Sequence, residues 1–199
     1  MRRVTLLMAA ALVCTAQTAP GPELPATPGL YAVIETSMGR IVALLYDDLA
    51  PNTVQNFVDL ARGNKLTRDK KGNRVRKPFY NGLTFHRVIK GFMIQTGDVK
   101  GTGSSDCGIP NIRDEFSKKV SFDNPGSLGM ANTGQPNTGA CQFFITTGRA
   151  THLDGKHTIF GQVVEGQEVA VAISNVPVDS ENRPKMPVLV KSVTIHSKP

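Results

Sequence analysis

The sequence of 199 residues has no tryptophan, three cysteines, four histidines and twelve aromatic residues, nine Phe and three Tyr. Each scarcity excludes a class of protein. No C-x-x-C pair occurs among the cysteines, which removes dithiol redox motifs and cysteine zinc sites. His86, His152 and His157 fall in no H-x-x-x-H or H-E-x-x-H pattern, and no cysteine stands at a ligand spacing to them, so no metal centre is expected. The serine-hydrolase elbow G-x-S-x-G is missing, since neither Gly126-Ser127-Leu128-Gly129 nor Gly103-Ser104-Ser105-Asp106-Cys107 fits it. Gly101-Thr102-Gly103 runs into Asp106 where a G-x-G-x-x-G phosphate cradle needs its third glycine. No cofactor is expected.

What remains is the composition of one soluble globular core. Hydrophobic residues make up 40% and charged residues 20%, with 19 Gly and 13 Pro, which excludes a disordered chain, a coiled coil or a collagen repeat. The length fits one domain. Lys and Arg number 23 against 16 Asp and Glu, a formal charge of +7.

The first residues read as a separate object. Met1-Arg2-Arg3 precedes an apolar run from Val4 to Val13, the length of a signal-peptide core and too short to span a bilayer. Cleavage after Ala16 is expected, giving a signal peptide over 1–16 and an exported, periplasmic protein without a stable membrane anchor; an unprocessed start is the alternative and would leave the protein cytoplasmic. Pro20, Pro22, Pro25 and Pro28 make residues 17–29 an extended tether, and the folded domain runs over 30–199. Cys107 and Cys141 remain after cleavage. An oxidising compartment permits a disulfide between them, and two buried free thiols are the alternative.

Along the domain, Leu30–Thr36 and Arg40–Tyr46 alternate as a hairpin, and Val54, Phe57, Val58 and Ala61 recur at helical spacing between Pro51 and Gly63. From Asn64 to Pro78 seven cations and almost no apolar residues predict an exposed, solvated loop. Short strand-like runs follow at Leu83–Ile89, Phe92–Thr96, Ser127–Ala131, Gln142–Thr147, Thr158–Val164 and Val188–His196, with a second helix near Gln167–Ser174. Many short strands and two helices predict a barrel or sandwich rather than alternating β-α units.

Three clusters carry unusual residues: Phe85-His86-Arg87-Val88-Ile89-Lys90-Gly91-Phe92-Met93-Ile94-Gln95-Thr96-Gly97-Asp98; Gly129-Met130-Ala131-Asn132 leading to Gln142-Phe143-Phe144-Ile145-Thr146; and Leu153-Asp154-Gly155-Lys156-His157-Thr158-Ile159-Phe160-Gly161. In this order and spacing they resemble the cyclophilin-type peptidyl-prolyl cis-trans isomerases, from about Tyr31 to His196. The resemblance implies a mainly β fold, a closed eight-stranded antiparallel barrel capped by two α-helices, with its groove on the outer surface. It also implies an enzyme that turns X-Pro bonds in folding polypeptides. By that resemblance Arg87 donates to the prolyl nitrogen, Phe92, Met93, Phe144 and Leu153 line the proline pocket with His157 at its rim, and Gln95 and Ala131-Asn132 hold the substrate backbone. Gln142 positions Arg87 or the peptide. His86, next to Arg87 in a strand, points to the opposite face and is read as structural. Both cysteines border the pocket for residues before the proline, which favours the disulfide. Many members carry a tryptophan where this chain has His152, so weak cyclosporin binding is expected. The partners expected are proline-containing polypeptides, with no nucleic acid and a monomeric chain. The alternative is a non-catalytic module that holds proline segments as a chaperone.

Overall fold

The computed structural model describes residues 24–199 apart from Ser105, so the expected signal peptide and residues 17–23 of the tether lie outside the described residues. Ten strands, two α-helices and one 3-10 turn follow: β1 Gly29–Thr36, β2 Gly39–Leu45, α1 Pro51–Arg62, β3 Thr67–Arg68, β4 Arg74–Val75, β5 Arg87–Ile89, β6 Met93–Thr96, β7 Ser127–Met130, β8 Phe143–Thr146, the turn Thr151–Leu153, β9 Ile159–Glu165, α2 Gln167–Ser174 and β10 Val190–Lys198. Eight strands form one sheet in the order β10-β1-β2-β9-β7-β8-β6-β5, every pair antiparallel.

The sheet is mainly β and curled, with two helices as expected, but its ladder is that of a half-barrel. No continuous pairing joins β5 to β10. The segments leading into the two edges meet around the bridge of Thr84 to Leu189, with Phe85 N donating to Val188 O at 3.0 Å, Val190 N to Leu83 O at 2.8 Å and Gly82 N to Val190 O at 2.8 Å. The physical reason lies in the joining segments: β5 is three residues long, and Pro187 just before the bridge has no N–H to extend the ladder.

Inside the curl, Phe57 of α1 meets Tyr80, Phe143 and Phe160 with ring centroids 5.1, 5.3 and 5.3 Å apart. All four side chains are almost fully buried, and burial of this kind stabilises by roughly 1.5–3 kcal/mol per side chain. Helix α1 begins at Pro51, where the missing N–H costs nothing, and ends at Gly63 in the left-handed region, φ 75°, as a C-terminal glycine does. Its first turn has no acidic residue of its own. Glu115 supplies one from a distant loop: its carboxylate accepts from Asn52 N and Thr53 N at 3.1 and 2.8 Å and from the Thr53 hydroxyl at 2.7 Å. Burial would raise this carboxyl, but those donors hold it below the usual carboxylate range.

The segment read as a solvated loop is more ordered than its sequence suggested. β3 and β4 pair as a two-stranded hairpin, whose turn is tied by Asp69 accepting from Lys71 N at 2.9 Å and Asn73 N at 2.8 Å. Its missing apolar residues are replaced by docking: Arg68 N donates to Cys107 O at 2.9 Å, and Arg68 pairs with Asp106 at 3.2 Å. Cys107, in the loop after β6, is joined by a disulfide to Cys141 at the entry of β8. Residues 24–28 lie against the sheet, with Leu24 packed beside Tyr31 and Val33 and Lys198 Nζ donating to Pro25 O at 2.7 Å.

The crosslink spans 34 residues of sequence, so replacing both cysteines by serine is expected to lower the unfolding free energy by about 2–4 kcal/mol. Urea titrations of the parent, with and without reductant, and of the double variant measure it; identical midpoints in all three would contradict it.

Candidate active site

Strand alternation builds the site. In β8, Phe143 and Ile145 enter the main core, so Phe144 between them faces outward. There it joins Met93, Phe122, Ala150 and Ile159 in a second apolar cluster, with Phe92, Ala131 and Leu153 packed against it. The register places Arg87 opposite Gln95, Gln95 opposite Phe144 and Phe144 opposite Gly129. These four positions form one row across four strands on the outer face. Glycine ends the row for a steric reason: a Cβ at Gly129 would overlap the Phe144 ring.

Polar groups are strung along the same face. Arg87 Nη1 donates to Gln95 Oε1 at 3.3 Å, Gln95 Nε2 to Gln142 Oε1 at 2.9 Å, and Gln142 Nε2 to Gly103 O at 3.2 Å. All three bonds point away from the arginine. The amide oxygen nearest Arg87 is therefore fixed as an acceptor, and the exposed guanidinium is held over the edge of the apolar recess with donors to spare. At the other side of the recess His157 Nδ1–H donates to Met130 O at 2.9 Å. That bond turns the imidazole against Phe144, centroids 5.4 Å apart at 86°.

A cavity of about 370 Å³ continues from the recess, lined by Gln95, Gln142, Ala131, Asn132, Thr138 and the disulfide. Ala131 N is committed to Gln142 O at 3.0 Å, and the Asn132 side chain donates to Lys156 O at 2.8 Å. The Asn132 backbone N–H and C=O have no partner among the described residues, leaving both to meet another backbone. The structure thus brings together Arg87, Phe92, Met93, Gln95, Ala131, Asn132, Gln142, Phe144, Leu153 and His157, together with Cys107 and Cys141.

Sequence reasoning missed Phe122, Ala150 and Ile159, which form the floor beneath Phe144. Ile159 was legible, since it alternates with the core residue Phe160. Phe122 sits in a long loop with no periodicity to reveal it, held by Asp154 accepting its N–H at 2.9 Å. Glycine within a strand at Gly129 was a second available signal, because it marks close approach of another group.

Beneath the site lies His86, 5% exposed. Among the described residues neither ring nitrogen has a hydrogen-bond partner of good geometry. Burial pushes its pKa below the usual histidine value, against the opposing pull of the Asp98 charge and of nearby Gln142. Asp98 is 1% exposed and accepts from Lys100 N at 2.9 Å and Thr102 N at 2.8 Å, and also from Gly103 N. Burial would raise that carboxyl, yet the backbone donors and His86 keep it low. It shapes the loop whose Gly103 carbonyl terminates the amide chain. Among the described residues no three His, Cys, Asp or Glu side chains gather as a metal site.

The family described as cyclophilin type peptidyl-prolyl cis-trans isomerase/CLD matches residues 31–195. The chain belongs to the cyclophilin-type peptidyl-prolyl cis-trans isomerase family. The peptidyl-prolyl cis-trans isomerase A of Mycobacterium tuberculosis is 47% identical over 168 residues, covering 82% of this chain and 91% of that protein. A chicken (Gallus gallus) peptidyl-prolyl cis-trans isomerase-like 3 is 40% identical, covering 85% of this chain and 98% of that protein. A Cryptosporidium parvum cyclophilin, whose crystal structure was determined in the presence of the dipeptide Ala-Pro, superposes with a TM-score of 0.73 at 30% identity over 84% of this chain and 99% of that one.

This cyclophilin is expected to lose stability on acidification in two steps. A histidine whose folded pKa is lowered binds its proton more readily when unfolded, so stability falls as pH drops below about 6.5; replacing His86 by Gln removes that limb. The lowered carboxyls Asp98 and Glu115 give a second loss as pH falls below about 4. Urea midpoints between pH 3 and 8 measure both, and a parent curve flat from pH 7 to 5 would contradict the first.

Proposed function

We propose that the chain catalyses cis–trans isomerisation of X-Pro peptide bonds, by donation from the Arg87 guanidinium to the prolyl nitrogen in the twisted state. Rotation must overcome a barrier of about 18–20 kcal/mol and takes tens of seconds or longer unaided. Neither a nucleophile nor a metal is required. As the amide twists, its resonance is lost and the nitrogen gains a lone pair that the planar bond lacked; a donor fixed beside it stabilises the twisted state over the ground state. The ring packs on Met93, Phe144, Phe92 and Leu153 with His157 at the rim. The neighbouring backbone meets the free groups of Asn132, and Gln95 and Gln142 fix the arginine. The observation that carries the reading is the one-directional amide chain holding an exposed guanidinium on the same face as an apolar recess. The Ala-Pro dipeptide in whose presence the Cryptosporidium relative was crystallised supports proline peptides as the occupants.

Replacing Arg87 by Ala is expected to reduce the catalysed exchange rate of a short X-Pro peptide, read by NMR, by roughly 10²–10³-fold. Arg87→Lys should not restore it, because an ammonium lacks the planar fork. Equal rates in parent and Arg87→Ala would overturn the assignment. An inactive parent that still binds proline peptides would leave the non-catalytic chaperone module as the function. His152, 5.3 Å from Phe92, stands where many relatives place a tryptophan, and weak cyclosporin binding is part of the proposal.

Export to the periplasm completes the reading, supported by the pattern of residues 1–16 and by a disulfide that an oxidising compartment maintains. Mass spectrometry of the protein from an exporting host should find a mature chain beginning at Gln17. Full-length protein confined to the cytoplasm would contradict it.

A further inference from the structure

The charge of this protein is concentrated in one place. Residues 24–199 contain 21 Lys and Arg and 15 Asp and Glu; residues 65–77 hold seven of the former and one of the latter, leaving fourteen of each elsewhere. The whole net charge of the described domain, +6, therefore sits on the β3–β4 hairpin and its flanks. Six of its seven cations are exposed. Lys70, Lys71, Arg74 and Lys77 have no ion-pair or hydrogen-bonding partner among the described side chains. The one acid, Asp69, lines the cavity at the base of the hairpin with Lys70, Lys71 and Lys77, and its carboxylate accepts from the turn's own Lys71 N, Asn73 N and Asn73 Nδ2.

Two further features distinguish the hairpin from a solvated basic loop. At its base a cavity of about 380 Å³ has an apolar floor, Phe79, Leu83 and Val99, beneath a rim that includes Lys70, Lys71 and Lys77. The hairpin is also fastened to the candidate active site. Arg68 N bonds to Cys107 O, Arg68 pairs with Asp106, and both Asp106 and Cys107 line the 370 Å³ cavity beside Gln95 and Gln142. The hairpin therefore adjoins that cavity through Asp106 and Cys107.

We propose that the β3–β4 hairpin is a docking surface for acidic polypeptide, which makes the enzyme selective for X-Pro bonds preceded by a stretch of Asp and Glu. The proposal rests on the isomerase reading for its direction along the substrate, residues before the proline occupying the cavity. The unpaired cations supply long-range attraction to an acidic segment, and the apolar floor accepts a side chain carried within it. Four cations in a net-neutral background attract by charge of one sign, and the attraction is screened by salt.

Three peptides sharing one X-Pro core, with four glutamates before the proline, four glutamates after it, or neutral residues, test this on the parent and on the variant Lys70→Gln, Lys71→Gln, Arg74→Gln, Lys77→Gln. Unchanged urea midpoints establish that the variant is folded. Exchange-derived kcat/KM for the peptide with preceding glutamates is expected to exceed that of the neutral peptide roughly tenfold at low ionic strength, with the gain vanishing at about 0.5 M salt. The variant should lose the gain while turning over the neutral peptide as the parent does. Equal turnover of all three peptides, an equal gain from glutamates on either side, or a gain that survives in the variant would overturn the proposal. Fluorescence anisotropy of the same peptides separates it from the isomerase reading. Tight, salt-sensitive binding of the acidic peptide by a parent that turns over nothing would sink catalysis and leave the docking surface standing. Preferential binding of a DNA oligomer or of phosphatidylglycerol vesicles, with no preference among the peptides, would assign the hairpin to another class of partner and overturn the proposal.

Discussion

The register of one four-residue strand decides the rest. β8 lies between β6 and β7, and its alternation sends Phe143 and Ile145 into the core while Phe144 points out. A slip of one residue would exchange the two faces, burying the ring meant for the recess and exposing two core side chains. The aromatic contacts of Phe143 with Phe57 and Tyr80, at 5.3 and 5.3 Å, therefore hold the outer site as firmly as the inner core. Gly129 and Phe144 complete the lock, because the ring occupies the space that any other residue at 129 would fill. Folding energy and site geometry are the same contacts seen from two sides of the sheet.

The polar half of the site depends on longer connections. Gln142 is reached from Arg87 through Gln95 and ends on the Gly103 carbonyl. That carbonyl belongs to a loop with no regular structure, which is shaped by the Asp98 carboxylate and closed further along by the Cys107–Cys141 bond. Order in an irregular segment costs about 1–2 kcal/mol per residue in backbone entropy, and the buried carboxylate and the crosslink offset part of it where apolar contacts are few. His86 lies under the same loop, its ring nitrogens without a well-formed hydrogen bond among the described residues. A protein that needed stability alone would be expected to place an apolar side chain there, so this position is a weak point directly behind the guanidinium.

How much of this was legible in the sequence follows from the range of the interactions. Both helices and all eight strands of the main sheet were visible as periodicities, because alternation and 3.6-residue spacing are local. The outer row Arg87–Gln95–Phe144 was visible in part, through the resemblance of its motifs to a family. The parts not legible all rest on contacts between residues far apart in sequence. Glu115 capping α1 spans 62 residues, Phe122 reaches the recess through Asp154 from 32 residues away, and the small β3–β4 hairpin is ordered by a loop some 40 residues later. Composition suggested an unstructured basic loop because the segment has little apolar surface of its own. The surface that orders it belongs to its neighbours.

The energetics constrain how such a site works. Removing one positioned donor from an active site costs about 2.7–4 kcal/mol, against a rotational barrier of about 18–20 kcal/mol. An arginine of that strength accelerates exchange 10²–10³-fold and no further. Additional acceleration has to come from the surroundings, as interactions stronger in the twisted state than in either planar isomer. The geometry suits that division. Under the proposed mechanism the recess would hold the prolyl ring and the free Asn132 backbone groups one flank of the peptide, with the bond between them left to rotate beside the guanidinium. Asn132 lies two residues beyond β7, and Phe144 stands on β8, which pairs with β7, so under that mechanism one ladder sets the separation between the backbone anchor and the recess.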